Sequence, residues 1–411
     1  MVGIENLCGK KRIMTDKIFV SIPTLNDSEY LNTIERAFDE ASHPDNIIIG
    51  TSIFWRDVDI KNNKIPFFYM FEKKIKKISK NIKYDILYWN NYPGVGFGRI
   101  EPLKHFNNEK YYLSLDSHTY FSNNWDENLI DIYQNSKKHF GKRVLITTYL
   151  ASYINNNNKY INGNSQEYKK NFYNVKVTEK NNIFYLKNQN FSKWQYFNYY
   201  GTIGLQEQSL NDKYFFPVPD DIDPVENFNI FNHLINNEYL PAKKLSAHFI
   251  FTESYPWIHR YRLCLDPRIR FWGEEFYQSV LAYARGYNFA WIKTPIFFHF
   301  YGGDIKEKDT FDGKVDKFTR EVMESDLNEF KNKEEKLYIF NKYINNTKKT
   351  KNDTYDRYVE NNIISILLKN DSYFGYLSRG IKSYLNYAKI DLYNQKCSPW
   401  DEVPKLNVIY K

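Results

Sequence analysis

Short apolar runs alternate with helical stripes through the N-terminal part of the chain. Residues 17–22 (KIFVSI) read as a buried strand, and residues 23–28 as a turn with capping side chains. Leu31, Ile34, Phe38 and Ala41 then recur at helical spacing. Residues 46–55 (NIIIGTSIFW), 84–89 (YDILYW), 111–115 (YYLSL) and 143–150 predict further strands. Between them lie a glycine-rich loop at 92–98 (YPGVGFG), a helix expected over 99–107 and a helix expected over 126–138. Strand and helix alternating in this way predict an α/β fold whose sheet is mainly parallel and flanked by helices.

The pattern then changes. Residues 155–200 are rich in Asn, Lys, Tyr and Ser and read as a long excursion with short strands. Alternating order returns over 245–253 (LSAHFIFTE), followed by a helix over 274–285, a strand over 289–292 and the apolar run 296–301 (IFFHFY). From about residue 306 the chain is charged and helical, with a polar run at 345–350 that reads as a hinge. The expected organisation is a tail at 1–16, a catalytic domain at 17–305 with an insertion or acceptor-side region at 154–244, and a helical C-terminal extension at 306–411.

Composition narrows the classes. A chain of 411 residues is long for one average domain, and 42% hydrophobic residues supply enough apolar surface for a large core. Three scattered cysteines (Cys8, Cys264, Cys397) offer neither a disulfide framework nor a Cys-x-x-Cys zinc pair, which fits a reducing compartment. No apolar stretch reads as a signal peptide or a membrane span, so a soluble, cytoplasmic protein is expected. The 57 basic and 49 acidic residues leave a net charge of +8, a mild bias towards anionic partners. The basic run 72–80 (EKKIKKISK) reads as a solvated helix face rather than a nucleic-acid or membrane contact.

The strongest chemical signal is Asp116-Ser117-His118, directly after an apolar strand. Open α/β sheets bind ligands beyond the carboxyl ends of their strands. A hard carboxylate oxygen and an imidazole nitrogen placed there suit Mn²⁺ or a similar divalent ion such as Mg²⁺. The plainer reading is an aspartate that caps the next turn. His299, in IFFHFY, is by itself an ordinary hydrogen-bonded core histidine, but Asp116-x-His118 needs a third protein ligand. Residues 271–275 (FWGEE) put Trp272 and a glycine ahead of Glu274 and Glu275 at a helix start, where carboxylates are also favoured by the helix dipole alone. Arg99 follows the glycine-rich loop, and its planar fork suits a diphosphate. That loop matches neither full phosphate-binding glycine motif.

Together these residues form an ordered set. Residues 109–130 (EKYYLSLDSHTYFSNNWDENLI) resemble the metal-site segment of the GlcNAc-transferases that modify hydroxyproline on polypeptides, and more distantly the polypeptide GalNAc-transferases. Both families carry Asp-x-His where Asp-x-Asp is commoner. Residues 271–289 (FWGEEFYQSVLAYARGYNF) resemble their Gly-Glu-Glu helix, 17–44 their opening strand and helix, and 373–392 a tail segment of the GlcNAc-transferase group. Arg99 stands where those families carry a donor-binding arginine. The chain departs from them at Thr24-Leu25-Asn26-Asp27, where Ser-Tyr-Arg-Asp is usual, and in the form of its glycine-rich loop.

The resemblance implies a GT-A glycosyltransferase that retains anomeric configuration and moves a sugar, GlcNAc first among candidates, from a UDP-sugar to a hydroxyl on a polypeptide or glycan. It implies a divalent ion, Mn²⁺ or Mg²⁺, on Asp116, His118 and His299. Ser21, Pro23, Thr24, Arg99, Asp116 and Ser117 would meet the donor, and Glu274, Glu275 and Trp272 the sugar or acceptor. No nucleic-acid partner is expected. Competing readings are a non-haem iron oxygenase, whose triads run His-x-Asp on an antiparallel barrel, and a non-catalytic nucleic-acid or glycan binder.

Overall fold

The computed structural model describes residues 15–25, 27, 29–56, 73, 75–89, 95–152, 175–178, 183–186, 237–259, 262–265, 274–294, 296–299, 379, 381–391, 396–397 and 406. Among these, nine strands make one twisted sheet. Its centre is β1 (Thr15–Ser21), paired in parallel with β3 (Ile47–Arg56) on one side and β5 (Glu109–Leu115) on the other. Two further strands, β2 (Thr24–Leu25) and β4 (Ile82–Trp89), join β3 in parallel. Beyond β5, β12 (Phe249–Glu253) runs antiparallel to both β5 and β7 (Val144–Thr147). Next comes β13 (Asn288–Ile292), parallel to β7, and then the edge strand β11 (Tyr239–Pro241), antiparallel to β13. The sheet is therefore mixed but mainly parallel, and the α/β expectation holds.

Near-continuous apolar runs are what strands buried on both faces require. One face carries Ile18, Val20, Leu113 and Leu115 and is covered by α1 (Tyr30–Asp39) and α3 (Trp125–Phe140). The other carries Phe19, Tyr112 and Ile250 and packs with α5 (Glu274–Ala284). Gly50 is needed here, because a side chain on it would run into the Phe19 ring.

Several boundaries differ from the sequence reading. The expected 99–107 helix begins earlier, as α2 (Val95–Ile100), and continues as a 3₁₀ turn at Glu101–His105. Gly96 and Gly98 are buried inside α2, where small residues allow close packing, and Arg99 sits in its last turn. The 245–253 run becomes a strand only from Phe249, because Ser246 and Phe249 close a tight turn. In the basic run, Ile75 is buried while Lys76 and Lys77 are exposed, as a solvated helix face requires.

A smaller sheet stands past the ends of the main strands. In it β14 (Phe297–His299) lies between β6 (Thr119–Phe121), antiparallel, and β8 (Ala151–Ser152), parallel. Its register sets His299 opposite Thr119, next in sequence to His118. Trp125 locks this corner: it is fully buried, donates from Nε1 to the Ala37 carbonyl at 3.0 Å, and packs on Phe121 and Phe297.

Of the excursion, the structure describes the hairpin β9 (Val175–Thr178) and β10 (Ile183–Leu186). Of the C-terminal extension, α6 (Ile381–Ala388) packs on α5 rather than standing apart: Tyr384 and Ala388 are fully buried in the same core. Arg379 fastens this segment, donating to the Tyr287 carbonyl at 3.0 Å and to Asn288 Oδ1 at 2.7 Å. Among the described residues no helix is long and apolar enough to cross a membrane.

Candidate active site

The carboxyl ends of β1 and β5 define the site. Ser21 pairs with Ser114 in register, so the segment after β1 and Asp116, just past β5, emerge side by side. Ser21 and Thr24 are buried there, and Pro23 is half-buried between them.

Arg99 is the hub. Its Nη2 donates to Asp116 Oδ1 at 3.0 Å, and its Nε donates to Glu274 Oε1. Burial works against its charge, but Glu274 and Asp116 outweigh that and hold the guanidinium firmly protonated. Among the described residues its buried Nη1 has no hydrogen-bond partner, a donor of the kind an anionic ligand satisfies. Burial raises the Asp116 carboxyl, yet Arg99 and then His299 hold it well below the usual carboxylate range. Glu274 goes the other way. Burial pushes it up to about 7 against the pull of Arg99, with Asp116 and Glu275 adding to the rise.

The histidines gather on the far side of Asp116. His299 Nε2 lies 3.1 Å from Asp116 Oδ2, and His118 Nε2 lies 3.8 Å from the same oxygen. The His118 and His299 rings are 4.5 Å apart between centroids. A third imidazole, His248, stands 4.7 Å from His299, and donor atoms of Asp116, His248 and His299 all fall within 4.8 Å of one another. Burial, with His118 adding, lowers His299 to about 4, and burial with His299 lowers His248 well below its ordinary value. Neutral imidazoles beside an ionised carboxylate are the protonation states a divalent cation requires of its ligands. The donor set therefore fits an ion, with the expected Asp116, His118 and His299 brought together and His248 added.

His248 is placed by the turn that carries it. Three successive backbone N–H groups end on side chains: Leu245 on Ser279 Oγ at 2.8 Å, Ser246 on Thr147 Oγ1 at 2.8 Å, and Ala247 on Glu275 Oε1 at 2.9 Å. Its own Nε2 accepts from the Leu150 N–H at 3.2 Å.

Glu275 is committed to structure. Besides Ala247, it accepts from Lys244 Nζ and the Tyr149 hydroxyl, each at 2.9 Å. Lys244 is buried and also lies over the Tyr149 ring. The Ser117 hydroxyl turns away from Asp116 and donates to Asp27 Oδ2. Trp272 lies outside the described residues. Sequence reasoning missed Tyr149, Lys244, His248 and Asp27. The signal for His248 was a histidine directly ahead of the apolar residues 249–251.

A family model described as glycosyltransferase (GlcNAc) matches residues 68–394, well over half of the sequence. The chain belongs to this glycosyltransferase family. No curated protein matches this chain at a significant level. Similar solved structures include S. aureus TarS 1–349 in complex with UDP-GlcNAc, at 21% identity and a TM-score of 0.24, covering 32% of this chain and 33% of that one. S. aureus TarS 1–349 also matches at 12% identity and a TM-score of 0.33, over 69% and 60% of the two chains. GalNAc-T7 with UDP, GalNAc and Mn²⁺ matches at 10% identity and a TM-score of 0.40, over 90% and 56%. The chain thus spans between 33% and 60% of these structures' own lengths.

Proposed function

We propose that the chain is a metal-dependent, retaining glycosyltransferase that moves GlcNAc from UDP-GlcNAc to a hydroxyl of a polypeptide or glycan. The observation that carries this is the placement of Arg99 between Asp116 and Glu274, beside a cluster of neutral imidazoles at the carboxyl end of the central strands. Family membership supports the class of reaction. The oxygenase reading loses its basis, since the sheet is mainly parallel rather than an antiparallel barrel.

Asp116 and His299 would hold the divalent ion, Mn²⁺ by preference, with His118 as a further donor, and His248 would join only by releasing its Nε2 from the Leu150 N–H. The ion supplies positive charge against the diphosphate as it leaves. Arg99 supplies fixed positive charge of its own, and because two carboxylates already orient it, no reorganisation is needed as charge develops. Ser21, Pro23 and Thr24 line the nucleotide side, where the buried Thr24 hydroxyl lacks a protein partner. Glu274, close to half-protonated at neutral pH, can donate to or accept from a sugar or acceptor hydroxyl. Glu275 positions the His248 turn. In the transfer, the bond from the anomeric carbon to the diphosphate oxygen breaks and one to the acceptor oxygen forms on the same face. The acceptor proton passes to the departing oxygen, so no dedicated strong base is required.

The test is UDP release from a panel of UDP-sugars, with Mn²⁺ or with chelator, for the wild type and Asp116→Ala. Metal-dependent release from UDP-GlcNAc, lost in the variant, is expected. Absence of binding to any nucleotide sugar with or without metal sinks the proposal.

A further inference from the structure

We propose that Asp27 is a positioning residue for the metal centre, acting through His118. The proposal rests on the metal-dependent reading above and adds a residue to it. Asp27 lies just past β2, and its side chain is only 13% exposed. Its Oδ1 accepts the Glu29 N–H at 2.9 Å, an ordinary local turn bond. Its Oδ2 does something a turn does not need. It meets His118 Nδ1 at 2.5 Å and also accepts the Ser117 hydroxyl, from residues 91 and 90 positions away.

An ionised carboxylate is acceptor-only. Held against Nδ1, it fixes a proton on that nitrogen, which leaves Nε2 as the ring nitrogen that would face an ion. Nε2 is the nitrogen that lies 3.8 Å from Asp116 Oδ2. That is too long for a hydrogen bond. His118 Nε2 would then be available to the ion that Asp116 would hold. Asp27, His118 and Asp116 thus form a chain of carboxylate, imidazole and carboxylate, and removing the first link releases the ring of the second.

The experiment titrates Mn²⁺ alone into the full chain and reads free Mn²⁺ by electron paramagnetic resonance. The proteins are the wild type, Asp27→Asn, His118→Ala and the double variant. Outer partners of this kind are worth roughly 10- to 100-fold in metal affinity. Asp27→Asn is expected to weaken Mn²⁺ by that factor, and the double variant to bind no worse than His118→Ala. A loss within twofold for Asp27→Asn, or losses that multiply in the double variant, overturns the proposal. A wild-type chain that binds no Mn²⁺ sinks the metal reading itself and this inference with it. Should Asp27→Asn not fold, the ¹⁵N shifts of His118 in the metal-free wild type decide. A proton on Nδ1 is expected, and an unprotonated Nδ1 overturns the role.

Discussion

Glu274 and Glu275, adjacent at the start of α5, bond to cations from different parts of the chain. Glu274 takes Arg99 from α2, and Glu275 takes Lys244 from the segment that leads into β12. One helix start therefore serves two purposes. Glu274 shares its cation with Asp116, whereas Glu275 is fully engaged by Lys244, Tyr149 and the Ala247 N–H.

Glu275→Ala should accordingly cost stability more than it costs chemistry. It leaves the Lys244 charge, only 4% exposed, without its carboxylate, and breaking a buried pair from one side costs about 3–5 kcal/mol. Urea unfolding of Glu275→Ala, Lys244→Met and the double variant checks this. The double variant should lose clearly less than the sum of the singles.

Arg99→Lys should be a severe change despite keeping the charge. A lysine ammonium cannot make two divergent N–H bonds to Asp116 and Glu274 from a planar fork while presenting a third donor. UDP affinity measured by calorimetry should fall at least about tenfold, or roughly 1.4 kcal/mol. Near wild-type affinity would mean that Arg99 acts only as a point charge.

Much of this was legible in the sequence. β1 and β5 are continuous apolar runs, and the polar residues that follow a buried strand mark where a sheet ends and a ligand can sit. Asp116 and His118 were found on that logic, His299 from the need for a third ligand and Glu274 from the FWGEE helix start, and the four side chains lie together. His248 was not, because a histidine within LSAHFIFTE looks like one side of an alternating strand, while the tight turn at Ser246 that re-aims it depends on Thr147, Ser279 and Glu275. Asp27 was named only as the last residue of a segment that departs from a family pattern, and its partner lies 91 residues away. The start of α2 was hidden by Gly96 and Gly98, which lower helix propensity but pack well once buried. The docking of α6 on α5 is a long-range contact that no local pattern announces.

Trp125→Ala should disable the metal site from a distance. The indole fills the space between Phe121 and Phe297, which sit on the strands that carry His299 into place beside His118. Deleting a buried aromatic of this size costs about 3–5 kcal/mol, and the lost bond to the Ala37 carbonyl adds to it. Thermal unfolding should drop by several degrees. Mn²⁺ affinity should fall more than in Tyr384→Phe, whose ring is equally buried but lies in the other core cluster.

Glu274 also gives the metal-free protein a distinctive pH dependence. Its folded-state pKa of about 7 lies above the ordinary 4.5, so between those values the native chain holds a proton that the unfolded chain has released. The associated stability is fully present below about pH 4.5 and is lost as pH rises towards 7. At about 1.4 kcal/mol for each pH unit, the contribution is on the order of 3 kcal/mol. His299, lowered to about 4, and His248 work in the opposite sense, because their burial favours the neutral ring and adds stability as pH rises through the acid range. The raw curve therefore mixes the two effects, and the difference between wild type and Glu274→Gln isolates one. Urea unfolding in chelator from pH 5 to 8 should show the wild type losing stability relative to Glu274→Gln as pH rises to about 7, with the difference constant above it. A difference independent of pH would place the Glu274 pKa near its ordinary value and make Arg99 the stronger influence on it.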